Sequence, residues 1–139
     1  MAEALLRDLG RGRYNAFSAG SNPTKMVHPL SLEVLEKHGL KQEGFYSKSW
    51  EELSHINMDY VITVCDSTAN EECPVYLRSI VFAHWGVFDP PKQSAKVGQE
   101  ILPFEKAFFI LKKRVEAFLE LDSTDVEFAK KFKKIGKLK

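Results

Sequence analysis

Three side chains in this sequence are of types and spacings that could do chemistry: Cys65, Cys73 and Asp89. Cys65 closes the apolar run "DYVITVC", and Cys73 follows eight positions later, beyond the polar stretch "DSTANEE". A thiol at a strand end can meet a second thiol on a loop that folds back, and the two can form a disulfide. The competing reading is plain packing, since cysteine is among the most buried residue types. Asp89 lies between "HWGVF" and the pair Pro90-Pro91. Pro90 biases Asp89 away from helical geometry and the proline pair stiffens the loop, so the carboxyl could be held as a general acid. An aspartate before proline also forms ordinary turns. The cysteine spacing fits no zinc motif, and only His84 of the four histidines is near the pair in sequence, so neither a metal nor a cofactor is expected.

The elements that must position these groups alternate between helix and strand. "AEALLRDL" places Ala2, Leu5, Leu6 and Leu9 on one helical face, but no Ser, Thr, Asp or Asn precedes it as a cap. "RYNAFSAG" reads as a strand over 14–19, "SNPTKMVHP" as a loop, and "PLSLEVLEKHG" as a helix with proline in its first turn and glycine past its end. Ser49-Trp50-Glu51-Glu52 is a capping box opening a short helix. Residues 60–65 and "SIVFAHWG" are apolar runs of the kind buried on both faces of a parallel sheet. Residues 103–120 form the longest helix, with Phe104, Phe108, Leu111, Val115 and Phe118 on one side. The pattern is α/β with a mainly parallel sheet, whose function gathers beyond the carboxyl ends of the strands, here loops 20–29, 66–73 and 86–98.

Composition sets the outer bounds. The 139 residues are 44% apolar and 12% aromatic, enough for one domain with a real core. No apolar run approaches the ~20 residues of a membrane span, and the start carries no signal pattern. Two cysteines suit a reducing compartment, so a cytoplasmic location is expected. The net charge of +1 is unevenly placed: the last ten residues hold six lysines and no acid, while residues 1–129 carry 14 basic and 19 acidic groups, net −5. An acidic body argues against nucleic acid as a partner. The closing "STDVEFAKKFKKIGKLK" forms a helix with Phe128, Phe132 and Ile135 on one side, either as a solvated surface helix or as a contact to an anionic partner.

Taken in order, these segments resemble the thioredoxin-coupled arsenate reductases, which share the fold of the low-molecular-weight protein tyrosine phosphatases. "MAEALLR" and "FSAGSNP" are similar to the helix and strand after that family's phosphate loop. "VHPLSLEVLEKHGL" and "SKSWEEL" resemble its next stretch, and "DYVITVCDSTANEECPV" and "HWGVFDPP" its redox-cysteine and acidic-loop segments. The resemblance implies a three-layer domain over 1–121 with strand order 2-1-3-4, followed by a lysine-rich helix or tail over 122–139. It implies that the family's first strand, its nucleophilic cysteine and its arginine belong upstream of Met1 and are missing from this chain. The roles it implies are leaving-oxygen protonation for Asp89, attack on a thiol–arsenic adduct for Cys65, and resolution of the first disulfide by Cys73. Thioredoxin would then be the partner and an arsenate- or phosphate-like oxyanion the substrate. The chain as given would be inactive, with a tyrosine phosphatase or a non-catalytic binding or regulatory remnant as the alternatives. Strand edges opened by a missing central strand would recruit a segment from elsewhere, making a homo-oligomer the favoured outcome.

Overall fold

The computed structural model describes residues 1–65 and 81–139. Within them are four helices, α1 (Ala2–Leu9), α2 (Pro29–Lys37), α3 (Leu102–Leu119) and α4 (Phe128–Ile135), and two strands, β1 (Tyr60–Cys65) and β2 (Val81–Val87). The strands pair in parallel, with Tyr60 opposite Val81 and Thr63 opposite His84. The fold is therefore α/β with a parallel sheet, as its alternating pattern dictates. Among the described residues the sheet consists of this one pair.

The core is aromatic and centred on α3. All five apolar positions on its inward face are buried, and the helix packs on α1, α2, α4 and β2. From β2, Ala83, Trp85 and Val87 point inward. Tyr60 of β1 adds a ring 5.5 Å from Phe118 and 5.7 Å from Phe132. Such ring pairs add ~0.5–1.5 kcal/mol each beyond the area they bury.

Two expectations are corrected. No strand forms over 14–19; only Gly20 makes an isolated bridge, to Ser49. A ladder needs a neighbour that exchanges N–H and C=O bonds. This segment instead serves α1: Ala16 O accepts from Arg7 Nε at 3.2 Å, and Ser18 Oγ donates to Glu3. Glu3, buried in the first turn, also pairs with Arg7 and lies 3.8 Å from Lys48 Nζ. An acid there balances the positive end of a helix that has no side-chain cap. The second correction concerns β1, whose six residues are all half-buried rather than enclosed. Among the described residues it has a strand neighbour on one edge alone.

Other helix ends are built as the sequence dictates or by substitutes. Glu52 Oε1 accepts from Ser49 N–H at 2.9 Å, as the capping box requires. At α2 the cap is His28, whose Nδ1 accepts from Leu30 N–H at 3.2 Å while its ring lies 4.6 Å from that of Phe104. No helix among the described residues is long and apolar enough to cross a membrane.

α4 lies on β2 with Phe128, Phe132 and Ile135 buried. Trp85 Nε1 donates to Phe132 O at 3.2 Å, and a Cβ on Gly136 would stand 2.2 Å from His84 O. We therefore expect Gly136→Ala to lift the end of α4 and cost roughly 1–3 kcal/mol in urea unfolding. Gly136→Ala unfolding at the wild-type midpoint would contradict this packing.

The turn before α4 is pinned by two aspartates. Asp122 Oδ1 accepts from Thr124 N–H and Oγ1 at 2.9 and 2.7 Å. Asp125 pairs with Lys131 and accepts from Glu127 N–H at 2.8 Å. These bonds hold both carboxyls below the ordinary value of 3.8, the Thr124 hydroxyl acting most on Asp122 and Lys131 most on Asp125. Groups with depressed folded values stabilise above the unfolded value, and that stability is lost as pH falls through the folded one. Amide protection in α4, taken relative to intrinsic exchange at each pH, should thus fall below about pH 4, before that of α3. Equal acid sensitivity in the two helices would show that the aspartates do not anchor α4.

Candidate functional site

The parallel pairing brings the ends of β1 and β2 to one edge. A β-bulge between Thr63 and Cys65 shifts the register, so that Cys65 stands opposite Val87. Bulges of this kind re-aim the residues beside them. Two residues beyond the end of β2, the chain reaches Asp89. Its backbone is extended, φ −79° and ψ 107°, as a residue before proline favours. Pro90, Pro91 and Lys92 then form a single 3₁₀ turn with Asp89 at its N-cap position.

That turn folds Lys92 back onto the carboxylate, with Nζ 3.0 Å from Asp89 Oδ2. The bond and charge of Asp89 push the Lys92 ammonium above its ordinary range, and Cys65 contributes in the same direction. Asp89 and Lys92 thus form one ion pair two residues beyond Val87, the partner of Cys65 across the strands. Cys65 is half-buried, and the Asp89 side chain is 38% exposed, open enough to meet a ligand. Cys73 falls in 66–80, outside the described residues.

Two further features frame this edge. Thr63 Oγ1 and His84 Nδ1 are 2.8 Å apart across the strand pair. Beside Asp89, a shallow cleft of about 390 Å³ is lined by Phe88, Gln93, Ser94, Leu102 and Lys106, with Lys106 Nζ 5.6 Å from the Phe88 ring centroid. Among the described residues, no three His, Cys, Asp or Glu side chains converge as a metal ion would need. Sequence reasoning passed over Lys92 as a site residue. Its signal was the Asp-Pro-Pro-Lys spacing, which a single helical turn closes into a contact.

A parallel α/β domain with a thiol and a carboxylate at its strand ends is the class these observations define. The model of the family described as low molecular weight phosphotyrosine protein phosphatase matches residues 1–133, and the chain belongs to that family. Among relatives, the glutaredoxin arsenate reductase of Synechocystis sp. is 30% identical over 97 residues, covering 70% of this chain and 72% of that protein. Arsenate reductase 2 of Staphylococcus saprophyticus is 30% identical over 112 residues, covering 75% and 84%. An arsenate reductase solved in the reduced state shares the fold at a TM-score of 0.66 and 24% identity, covering 85% of this chain and 84% of its own. A second, also reduced, gives 0.63 at 23% identity, with the same coverage.

Because Asp89 is the main cause of the raised Lys92 ammonium, Asp89→Asn should return Lys92 towards 10.5. Carbon-detected NMR titration of the lysine side chains reads this directly. An unmoved Lys92 would mean that the pair does not persist in solution.

Proposed function

We propose that this chain works as the redox relay of an arsenate-reductase-type protein, with Cys65 and Cys73 as the relay thiols and Asp89 as the general acid. The observation that supports the reading is the register that sets Cys65 opposite Val87, two residues before Asp89 and its Lys92 partner. Relatives named arsenate reductases support it.

In the full sequence of steps, a thiolate attacks arsenate and Asp89 gives its proton to the departing oxygen. Cys65 then attacks the thiol on that adduct; arsenic leaves as arsenite with two more electrons, and a first disulfide forms. Cys73 attacks Cys65 in that disulfide, freeing the first thiol and leaving Cys65–Cys73 oxidised. A carrier dithiol reduces that bond by exchange and is itself oxidised to a disulfide. Thioredoxin is the carrier proposed, and the name of the Synechocystis relative makes glutaredoxin the one to test beside it. Both suit a reducing cytoplasm.

The 139 residues contain two cysteines, both used by the relay, so none is left to attack arsenate. This chain by itself therefore passes a disulfide onward without making one from arsenate. A reaction of this kind without its nucleophile falls by many orders of magnitude in rate.

Mild oxidation followed by mass spectrometry should show the loss of two hydrogens and a linked Cys65–Cys73 peptide pair, reversed by reduced thioredoxin. Arsenate reduction by the 139-residue chain should equal a no-protein control. Thiols that both resist oxidation would return Cys65 to core packing, and arsenate turnover would refute the missing-nucleophile account.

A further inference from the structure

The lysine-rich end has no part in the relay, yet the fold fixes it in place. The apolar side of α4 is spent on the core, with Phe128, Phe132 and Ile135 all buried. Its lysines therefore face outward. Lys130 and Lys131 pair with Glu127 and Asp125. For Lys133, Lys134, Lys137 and Lys139, all exposed, no acidic partner is found among the described residues.

The tail beyond α4 is fastened rather than loose. Lys113 Nζ donates to Lys139 O at 2.8 Å. Arg114 Nε donates to Leu138 O at 2.9 Å, while its Nη1 donates to Trp85 O and Gly86 O at 2.8 and 3.0 Å. One guanidinium thus ties Leu138 to the end of β2. Asp89 lies three residue steps beyond Gly86, at most about 10 Å of extended chain. The chain at Lys137 is thereby held near the end of β2, where Val87 stands opposite Cys65, on a body whose residues 1–129 carry a net charge of −5.

We propose that Lys133, Lys134 and Lys137 form an electrostatic docking rim for an acidic dithiol carrier protein, which they guide to the relay cysteines. This rests on the relay reading above, which needs a protein partner at that edge. A lipid surface fits less well, because α4 has already buried the apolar face that would enter the bilayer. A polyphosphate backbone fits less well, because the surrounding body is acidic. Opposite charges on an interface rim act mainly on the rate of encounter and are weakened by salt.

The test compares the wild-type lysines with the triple variant K133Q/K134Q/K137Q, whose substitutions are all at exposed positions. First, a labelled, net-acidic reduced thioredoxin is titrated against chains in which both cysteines are serine, at low and high salt. The triple variant should bind about tenfold more weakly at low salt and no differently at high salt. Second, chains carrying the oxidised Cys65–Cys73 pair are reduced by the same thioredoxin or by dithiothreitol. The thioredoxin rate should fall about tenfold in the triple variant, while the small-molecule rate stays unchanged. Equal low-salt binding by the two chains overturns the proposal, as does an equal loss of rate with dithiothreitol. Tighter binding to anionic vesicles or duplex DNA than to thioredoxin also overturns it. A missing Cys65–Cys73 link defeats the relay reading alone, since the binding arm uses no cysteine and still decides the docking rim.

Discussion

The buried guanidinium of Arg114 is the joint on which the carboxyl end of the sheet depends. It is 4% exposed and comes from the middle of α3. Taking such a charge out of water costs several kcal/mol, which only a full set of good acceptors offsets. Among the described residues, the carbonyls of Trp85, Gly86 and Leu138 accept from it. Bonds from a charged donor contribute ~1.5–3 kcal/mol each, so three roughly balance the cost. The gain is therefore in position more than in stability. α3, the last turn of β2 and the chain's final residues are locked to one another, and the loop carrying Asp89 leaves from a fixed point.

From that point the geometry of the site follows in short steps. The bulge in β1 sets Cys65 against Val87. Pro90 then holds Asp89 extended, and the proline pair closes one tight turn that returns Lys92 to the carboxylate. Each step is local, so little backbone entropy is lost in forming the Asp89–Lys92 contact, although the long Lys92 side chain must still be ordered. An exposed ion pair between long, free side chains is worth little. Here Pro90 and Pro91 have already restricted the backbone between the two residues.

What the sequence made legible divides along the same physical line. α3 could be read because five apolar positions on one face determine both a helix and its buried side, and the bounds differ by one residue. The apolar side of α4 was equally plain, although nothing in its pattern said that Gly136 would meet a β2 carbonyl. The 14–19 segment has strand-like composition, but a strand is a property of two chains, and its polar groups were claimed by Arg7 and Glu3. The run in β1 promised burial on both faces, which depends on neighbours the run does not encode. His28 escaped notice as a cap because histidine is not a usual capping residue; its ring had to lean on Phe104 to present Nδ1. Asp89 was visible through its prolines, and Lys92 only after the turn had been seen to close.

The division of charge has a consequence for how the domain holds together. An acidic body and a basic C-terminal segment attract one another at long range, yet among the described residues the contacts that seat α4 are not acid–base pairs with the body. They are aromatic packing, a tryptophan N–H and close backbone approach through a glycine. The acids that do pair with α4 lysines, Asp125 and Glu127, come from its own leading turn. Salt screens exposed charges over ~8 Å at physiological ionic strength, whereas it leaves buried apolar contacts largely unaffected. The fold thus keeps α4 seated by forces that moderate salt does not weaken. The charge on its outer face is then left out of the internal balance and remains available to whatever approaches that edge.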